Sequence, residues 1–478
     1  MDVLQRLAAE GAVIERLSAD SRRCAPGTAF FAYPGEKADG RAYIDDALAR
    51  GASAVLWEAE RFAWSPAWRV PNVALPGLKQ QAGMLAARFY GEPSHALWMC
   101  GVTGTNGKTS ASHWIAAALE ASGARAGVIG TLGCGFPGAL RDAGNTTPDA
   151  LELQAIIRDL GAAGARAVAM EVSSHGLVQG RVNGVRFACA VFTNLSHDHL
   201  DYHGSMQAYG EAKAGLFAMP GLQSAVLNLD DAFGRELARR LARRVRTIGY
   251  SIEAAAPPAP VDTFITLQGG EVISPLGRAA LATRQVGRFN RANALAVLGA
   301  LIAHGLNFAD AAQLIAQLPD VPGRMERIAE RPLVIVDYAH TPDALENVLA
   351  TLHPIARERA GRLVVVFGAG GDRDPAKRPV MGGVAERFAD RVLVTSDNPR
   401  SEEPQRIIDA IVAGMRDRAA CEPDRARAIE RAVVDAKPED VVLIAGKGHE
   451  SYQEIAGKRL PFSDQAVARA ALGRRASP

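Results

Sequence analysis

Cysteine is scarce, with five residues in 478, at positions 24, 100, 134, 189 and 421. They are odd in number, widely spaced and form no C-x-x-C pair, which argues against a disulfide framework or a structural zinc site. A reducing compartment, the cytosol, is expected. Long apolar runs are missing too. Stretches such as Leu363-Val-Val-Val-Phe367 are far too short to cross a bilayer. The opening Met1-Asp-Val-Leu-Gln-Arg-Leu carries early charges and no long apolar core, so no secretory signal is expected there. Neither sign of charge dominates: 54 basic against 52 acidic residues leave a formal +2, which gives no reason to expect nucleic acid or a membrane surface as a partner. Tandem repeats, coiled-coil heptads and extended low-complexity segments are absent. No apolar interface can be read from the pattern, so a monomer is expected.

What is present is apolar material for several cores. With 48% hydrophobic and 22% charged residues over this length, about three domains are expected. Residues 1–94 read as a small α/β unit, with strands near 28–33 and 52–57 and a helix near 42–50. Residues 95–325 alternate strand and helix, with strands at 126–131, 166–172, 187–193, 224–229 and 244–250. The intervening helices are 151–164, 205–218, 231–243, 290–305 and 307–318, and a β-rich patch lies at 261–276. This is the pattern of a mostly parallel sheet covered on both faces. A boundary is expected near Pro322-Gly-Arg324. Residues 326–478 then read as a doubly wound, Rossmann-like domain with Gly-rich turns at the carboxyl ends of its strands, where open α/β sheets bind ligands.

The central pattern opens on an apolar run, Ala96–Cys100, followed by Gly101-Val-Thr-Gly-Thr-Asn-Gly-Lys-Thr-Ser110 and a helix over 111–120. A strand, a glycine-rich turn, Lys-Thr and a helix make a phosphate cradle. Backbone N–H groups and the positive helix end face the anion, Lys108 adds charge and Thr109 can ligate magnesium. The glycines at 101, 104 and 107 depart from the usual spacing. The stretch points to a nucleoside triphosphate.

Three further stretches need explanation: Met170-Glu-Val-Ser-Ser-His-Gly176, Thr193-Asn-Leu-Ser-His-Asp-His-Leu-Asp-Tyr-His-Gly204 and Tyr209-Gly-Glu-Ala-Lys-Ala-Gly-Leu-Phe217. Glu171 at a strand end suits a hard cation. A zinc reading of His197, His199 and His203 lacks a fourth ligand, and magnesium is already required. His113, His304, His353 and His203 read as satisfied surface histidines. Taken alone, Lys213 reads as a solvated lysine in the middle of a helix.

Taken together, TGTNGKTS, EVSSHGL, FTNLSHDHLDYHG, YGEAKAGLF, GRFNRANALA, GRME and VDYAHTPDAL resemble the Mur ligase family in the same order along the chain. Members build the peptide of the bacterial cell wall, one ATP-driven amide bond at a time. Residues 1–94, with DSRRCAPGTAFFAYPGEKADGR, resemble the family's uridine-nucleotide domain. The resemblance implies an ATP-binding ligase domain at 95–325 and an amino-acid-binding domain at 326–478. It places Gly104, Thr105, Asn106, Gly107, Lys108, Thr109 and Ser110 on the triphosphate, and Asn290, Arg324, Asp337 and Tyr338 around adenine and ribose. Without the family, Asn290 reads equally well as a helix N-cap. The UDP-N-acetylmuramoyl dipeptide would lie on Ser21, Glu36, Lys37, Ala38, Asn145, Thr146, Thr147, Ser173, Gln179 and Arg181.

Two magnesium ions are implied. Thr109 and Glu171 would serve the first, and His199 the second together with Lys213 carbamylated to N6-carboxylysine. The D-glutamate carboxylate would be phosphorylated by ATP, and an incoming amine, deprotonated by His175 or by residues 197–199, would displace the phosphate. The run Ser396-Asp-Asn-Pro-Arg-Ser-Glu-Glu-Pro404 resembles that of members adding meso-2,6-diaminopimelate. This substrate is lysine with one more carboxylate, and a guanidinium fork matches a carboxylate. Arg373 and Arg400 are thus expected on that carboxylate. Asp397, Asn398 and Glu450 are expected on an ammonium, with Pro399 and Gly446 beside them. The rivals are a lysine-adding member, folylpolyglutamate synthase, which lacks the first domain and the DNPR run, and a nucleotide switch, in which Glu171, His199 and Lys213 would have no purpose.

Overall fold

The strand Trp98–Thr103 runs through the middle of an eleven-stranded sheet, between Cys189–Phe192 and Ala167–Glu171, in the computed structural model of the protein. The structure describes residues 3–36, 38–281, 283, 285, 287–417 and 419–475. Outward on one side come Ser224–Asn228, Arg246–Ser251 and Thr263–Gln268, and on the other Ala126–Gly130. Neighbours among these strands are all parallel. Antiparallel strands close both edges, Glu271–Ser274 with Gly277–Ala280 and Gly133–Phe136 with Ala139–Arg141. Every residue of Ala167–Glu171 and Cys189–Phe192 is buried, as expected for parallel strands covered on both faces.

The order explains where a ligand can bind. From Trp98–Thr103 the chain first crosses to the Ala126–Gly130 side and returns through Ala167–Glu171. It then moves to Cys189–Phe192 on the opposite side. The carboxyl end of Trp98–Thr103 is therefore a switch point, and the three segments leaving these strand ends meet there.

The chain divides into two compact units, Met1–Ala282 with Ala292–Ala316, and Thr283–Arg291 with Gln317–Pro478. The first unit also holds a four-stranded parallel sheet of Arg16–Ser18, Thr28–Ala32, Ala54–Glu58 and Asn72–Leu75. The helix expected near 42–50 is a 3-10 turn, Gly40–Tyr43, followed by the short helix Ile44–Ala49. The second unit carries a six-stranded sheet in the order Glu326–Glu330, Leu333–Asp337, Val441–Ala445, Leu363–Phe367, Arg391–Val394 and Ala420–Cys421. Its first strand is antiparallel. A separate hairpin pairs Tyr452–Ile455 with Lys458–Pro461.

Several helix starts follow from the sequence. Asp149, Ser205, Asp231, Thr341 and Asp424 each cap a helix by accepting backbone N–H bonds through the side chain. The helix Lys108–Ala121 differs. Its cap is Gly107 at φ 85°, which has no side chain to offer, and the helix begins at Lys108 rather than at residue 111. A helix start without a side-chain cap, at the end of a buried strand, is built to receive an anion.

Candidate active site

The phosphate loop is held by the segment that leaves the neighbouring strand. Thr105 N donates to Asn194 O at 2.8 Å, and Asn106 N to Asn194 Oδ1 at 3.0 Å. Thr193 Oγ1 donates to Asn106 O at 2.6 Å, and Thr105 Oγ1 accepts from Ser196 N at 3.0 Å. Two glycines of the unusual pattern have local causes. A Cβ on Gly104 would collide with Thr193 Oγ1, and one on Gly107 would meet Asn293 Oδ1 at 2.5 Å. Lys108 folds back over the loop, its Nζ donating to Gly104 O at 2.9 Å and Thr105 O at 2.8 Å. Ser110 is buried in the first helical turn.

Glu171 is 1% exposed at the end of its strand and accepts from both sides. Thr109 Oγ1 donates to Oε2 at 2.9 Å, Thr131 N to Oε1 at 2.7 Å and Thr131 Oγ1 to Oε2 at 3.2 Å. A hydroxyl and a carboxylate thus meet beside the phosphate loop, which is the donor chemistry that magnesium prefers.

Lys213 is not a solvated residue of mid-helix. It lies in the last turn of Met206–Ala214, is 1% exposed and donates from Nζ to Gly104 O at 2.9 Å. Its Nζ sits 4.2 Å from the centre of the Tyr209 ring. Burial, reinforced by the charge of Lys108, holds this amine well below the usual lysine range. The Tyr209 hydroxyl is 3.3 Å from Thr105 Oγ1, and burial pushes its pKa up to about 12.

Histidines gather near Tyr209. The His199 ring is 6.1 Å from that of Tyr209 and 4.8 Å from that of His175, which packs 4.2 Å from Tyr202. His203, far from being a plain surface histidine, pairs through Nε2 with Ser174 Oγ at 2.9 Å. Burial lowers the pKa of His175, His199 and His203, so the rings are neutral imidazoles near pH 7. Among the described residues no group of three or more His, Cys, Asp or Glu side chains is placed to hold a metal ion.

The residues expected on the nucleotide sugar form a connected strip. Thr147 Oγ1 donates to Glu171 O at 3.0 Å and Ser173 Oγ at 3.1 Å, and Thr146 Oγ1 lies 3.0 Å from Thr131 Oγ1. Arg181 binds Thr147 O at 2.7 Å and Gln179 Oε1 at 2.8 Å, while Gln179 donates to Tyr202. Asn145 N closes a turn on Ala143 O. Glu36 pairs with Lys79 at 2.8 Å, and that hydrogen bond, with a smaller pull from the Arg181 charge, holds its carboxyl below the usual range, while Ala38 O accepts from Gly35 N at 2.8 Å. Ser21 is buried in a 3-10 turn capped by Asp20. Lys37 lies outside the described residues.

In the second unit, Asp337 ends a strand and accepts from Met325 N at 2.7 Å and Ala339 N at 2.8 Å, which fixes the adjoining turn. The Arg324 guanidinium lies 4.5 Å from the centre of the Tyr338 ring. Asn290 is the third residue of the helix Arg288–His304, so it is not the N-cap. Arg400 adopts φ 53°, and its Nη1 donates to Gly371 O at 2.7 Å. Arg373 is exposed and makes no hydrogen bond or ion pair among the described residues. A Cβ on Gly446 would strike Asp397 Oδ2, and one on Gly371 would strike Pro399 O, so the first glycine lets backbone pack on a side chain and the second backbone on backbone.

The expected ammonium site already holds an ammonium. Lys447 is 0% exposed, and its Nζ donates to Asn398 Oδ1 at 2.9 Å and Glu450 Oε2 at 2.8 Å. Asn398 Nδ2 also donates to Glu450 Oε2, at 2.7 Å. Among the described residues, no protein group donates to Glu450 Oε1 or to the Asp397 carboxylate in that cluster. Sequence reasoning missed Lys447, although it stands inside Gly446-Lys-Gly-His-Glu450, and missed Thr131, Tyr209 and Asn293.

Family models match three stretches of the chain: the Mur ligase family, catalytic domain, over residues 13–90; the Mur ligase middle domain, over 102–301; and the Mur ligase, glutamate ligase domain, over 323–448. A protein of Chromobacterium violaceum named UDP-N-acetylmuramoyl-L-alanyl-D-glutamate–2,6-diaminopimelate ligase is 53% identical, covering 98% of this chain and 96% of its own length. One of the same name from Ectopseudomonas mendocina is 51% identical, over 97% of this chain and 96% of its own length. A solved structure of a ligase of that name superposes with a TM-score of 0.68 at 37% identity, covering 97% of this chain and 95% of that one. With the phosphate loop, the carboxylate beside it and the buried lysine in place, and with matches along nearly its whole length, the chain belongs to the Mur ligase family.

Proposed function

We propose that this chain is an ATP-dependent amide-bond ligase that joins meso-2,6-diaminopimelate to the D-glutamate of UDP-N-acetylmuramoyl-L-alanyl-D-glutamate in cell-wall synthesis. The observation that carries the reading is the meeting of Thr109, Glu171 and Lys213, from three separate segments, around one phosphate loop. A switch protein has no use for the buried amine. The substrate pair follows the relatives' name.

The loop backbone and Lys108 hold the triphosphate, and Lys108 carries its charge to the phosphates by leaving the two carbonyls it now binds. Thr147, Ser173 and Arg181 orient the nucleotide-sugar dipeptide so that its terminal carboxylate meets the transferred phosphoryl group. Thr109 and Glu171 would hold one magnesium ion, and His199 with the carbamate of Lys213 a second. The fit rests on Glu171, whose oxygens already face a hydroxyl, and on Lys213, whose buried amine is held toward the neutral form that captures carbon dioxide. Bound magnesium neutralises charge on the phosphates during transfer. The acyl phosphate formed from ATP is opened by the amine of diaminopimelate, with release of phosphate. His175, a neutral imidazole, or residues 197–199 accept the proton that the amine loses.

Residues 1–94 take the uridine end, 95–325 ATP, and 326–478 the amino acid, with Arg373 and Arg400 on its distant carboxylate. The enzyme works as a monomer in the cytoplasm, and no helix among the described residues is long and apolar enough to cross a membrane.

Phosphate release tests the reading with diaminopimelate, lysine and glutamate in turn, each with and without the UDP-muramoyl dipeptide. Release is expected only with diaminopimelate and dipeptide together. Equal release with lysine overturns the choice of amino acid, and release without any acceptor overturns the ligase itself.

A further inference from the structure

The two loops that carry Arg373 and Arg400 are stitched to each other. Gly371 N donates to Asn398 O at 2.9 Å, and Arg400 Nη1 donates back to Gly371 O at 2.7 Å. Ser401 Oγ donates to Asp372 Oδ1 at 2.6 Å. Glu402 Oε1 then accepts twice, from Asp372 N at 2.6 Å and from Arg378 Nη2 at 2.8 Å. Arg378 is 5% exposed, at the start of the helix Lys377–Phe388, and Nη2 also lies 3.4 Å from Gly370 O.

Two residues in this seam, Asp372 and Arg400, hold a left-handed backbone at φ 53° without being glycine. Such conformations persist only where the surroundings over-determine them. Around Asp372 the surroundings are Glu402, fixed in turn by Arg378, whereas the Arg400 backbone is held by the hairpin, its N donating to Glu454 O at 3.0 Å and its O accepting from Ala456 N at 2.7 Å. Backbone or side-chain atoms of residues 370, 371 and 372 are bonded across the seam or to Arg378, whereas the exposed Arg373 next to them makes no hydrogen bond or ion pair among the described residues. The loop is fixed and its guanidinium is left for a ligand.

We propose that the Arg378–Glu402 pair is a positioning device for amino-acid selection: it locks loop 370–374 onto loop 398–402 so that Arg373 and Arg400 present their guanidinium groups together to the second carboxylate of the incoming amino acid. Neither member touches the substrate in this arrangement. The inference rests on the amino-acid site described under the proposed function. It adds two residues that no motif used there contains in a binding role, and it makes selectivity depend on a carboxylate facing away from the ligand. The arrangement also explains why Glu402 is held charged. The Arg378 hydrogen bond, helped by the Asp372 N–H, keeps its carboxyl below the usual range.

The test uses the full chain with Glu402→Gln, Arg378→Lys and Ser401→Ala. The last removes an exposed member of the seam and leaves the core untouched. Phosphate release is measured against diaminopimelate and against lysine, with KM for ATP and the melting temperature recorded alongside. Because an ångström of misplacement costs up to about a hundredfold, Glu402→Gln and Arg378→Lys are expected to raise KM for diaminopimelate by about tenfold or more, with kcat at saturation within about twofold. KM for ATP stays put, Ser401→Ala gives a smaller rise, and Glu402→Asp recovers part of the loss. The preference for diaminopimelate over lysine falls by the same factor, since lysine has no second carboxylate to misplace.

An unchanged KM for diaminopimelate in Ser401→Ala and in whichever of the other two variants folds overturns the positioning role. So does an equal loss on both amino acids. Wild-type turnover that requires diaminopimelate supports the underlying reading independently of the variants. Wild-type turnover with lysine in its place overturns that underlying reading first.

Discussion

Lys108 and Lys213 donate to one acceptor, each with Nζ at 2.9 Å from the carbonyl oxygen of Gly104. Two cations on one carbonyl are held there by the fold, and the more buried of them is pushed toward neutrality. Below the ordinary lysine value of 10.5 the unfolded chain binds a proton on Lys213 that the folded chain resists. The side chain therefore lowers stability as pH falls from that value, and the cost levels off below the folded pKa. Lys213→Met is expected to raise the melting temperature near pH 7 in buffer free of carbon dioxide, because Gly104 O keeps Lys108 as its donor. The gain should vanish above the ordinary lysine range. Activity should fall by about 10²–10³-fold, with partial return on adding small carboxylates to Lys213→Ala. A Lys213→Ala enzyme with full activity would remove the carbamate from the mechanism.

Glu171 tests whether the cluster acts through charge or only through structure. In Glu171→Gln the side-chain oxygen can still accept from Thr131 N, now at 2.7 Å, so folding should change little. Phosphate release should drop by about 10²–10³-fold, since a neutral amide is a poor partner for magnesium. Glu171→Ala leaves the Thr131 N–H without its acceptor and should cost a further 1–3 kcal/mol, roughly, in urea unfolding. Equal activity of the Gln variant and the wild type would show that the carboxylate is there for the loop alone.

Gly107 and Asn293 give a prediction that motif reading would not supply. At φ 85°, with a Cβ that would sit 2.5 Å from Asn293 Oδ1, Gly107→Ala is both strained and crowded. KM for ATP is expected to rise by about tenfold or more. The double variant Gly107→Ala with Asn293→Ala should recover part of it, because the clash is relieved while the backbone strain remains. Isothermal titration with ADP reads this without turnover.

Gly370 makes the matching test at the amino-acid end. A Cβ there would meet Arg400 Nη1 at 2.9 Å, and the guanidinium would have to move. Gly370→Ala should therefore raise KM for diaminopimelate by about tenfold and leave KM for ATP alone. Arg400→Lys loses the fork that matches a carboxylate and should abolish most of the preference over lysine. Competition between the two amino acids in one assay measures both effects as a ratio.

The parallel sheets were legible because strands buried on both faces are continuous apolar runs, and the helix starts because Asp, Ser and Thr stand where caps are needed. The phosphate loop was legible as a pattern, and its odd glycines acquire reasons only when Thr193 and Asn293 arrive from distant parts of the chain. Lys213 defeated local reading because nothing in Tyr209–Phe217 says that this helix is roofed by the phosphate loop. Thr131 was hidden for a similar reason, since its bonds to Glu171 depend on the register of Ala126–Gly130 against Ala167–Glu171. Lys447 shows the limit most clearly. A lysine in a polar loop is usually solvated, yet this one is sealed between Asn398 and Glu450. That pairing supplies internally the charge that sequence logic assigned to a substrate ammonium.

Behind both amino-acid loops lies an ion pair with no exposure at all. Arg425 donates to Asp464 through Nε and Nη2 at 2.7 Å each, and its remaining donors reach Ser396 O at 3.4 Å and Ala445 O at 3.0 Å. Those two carbonyls stand just before Asp397 and Gly446, so the pair ties the roots of the selecting loops to the helix Asp464–Arg475. Removing one partner strands a buried charge. Arg425→Met and Asp464→Leu should each destabilise by about 3–5 kcal/mol, whereas the double variant should lose less than either, because no lone charge remains. The double variant also separates stability from selection. If the pair acts only as a strut, its kcat/KM with diaminopimelate returns along with its stability. If the bonds to Ser396 O and Ala445 O set the loops, stability recovers and KM for diaminopimelate stays raised. The second outcome is expected, because no Met or Leu side chain can donate to a carbonyl.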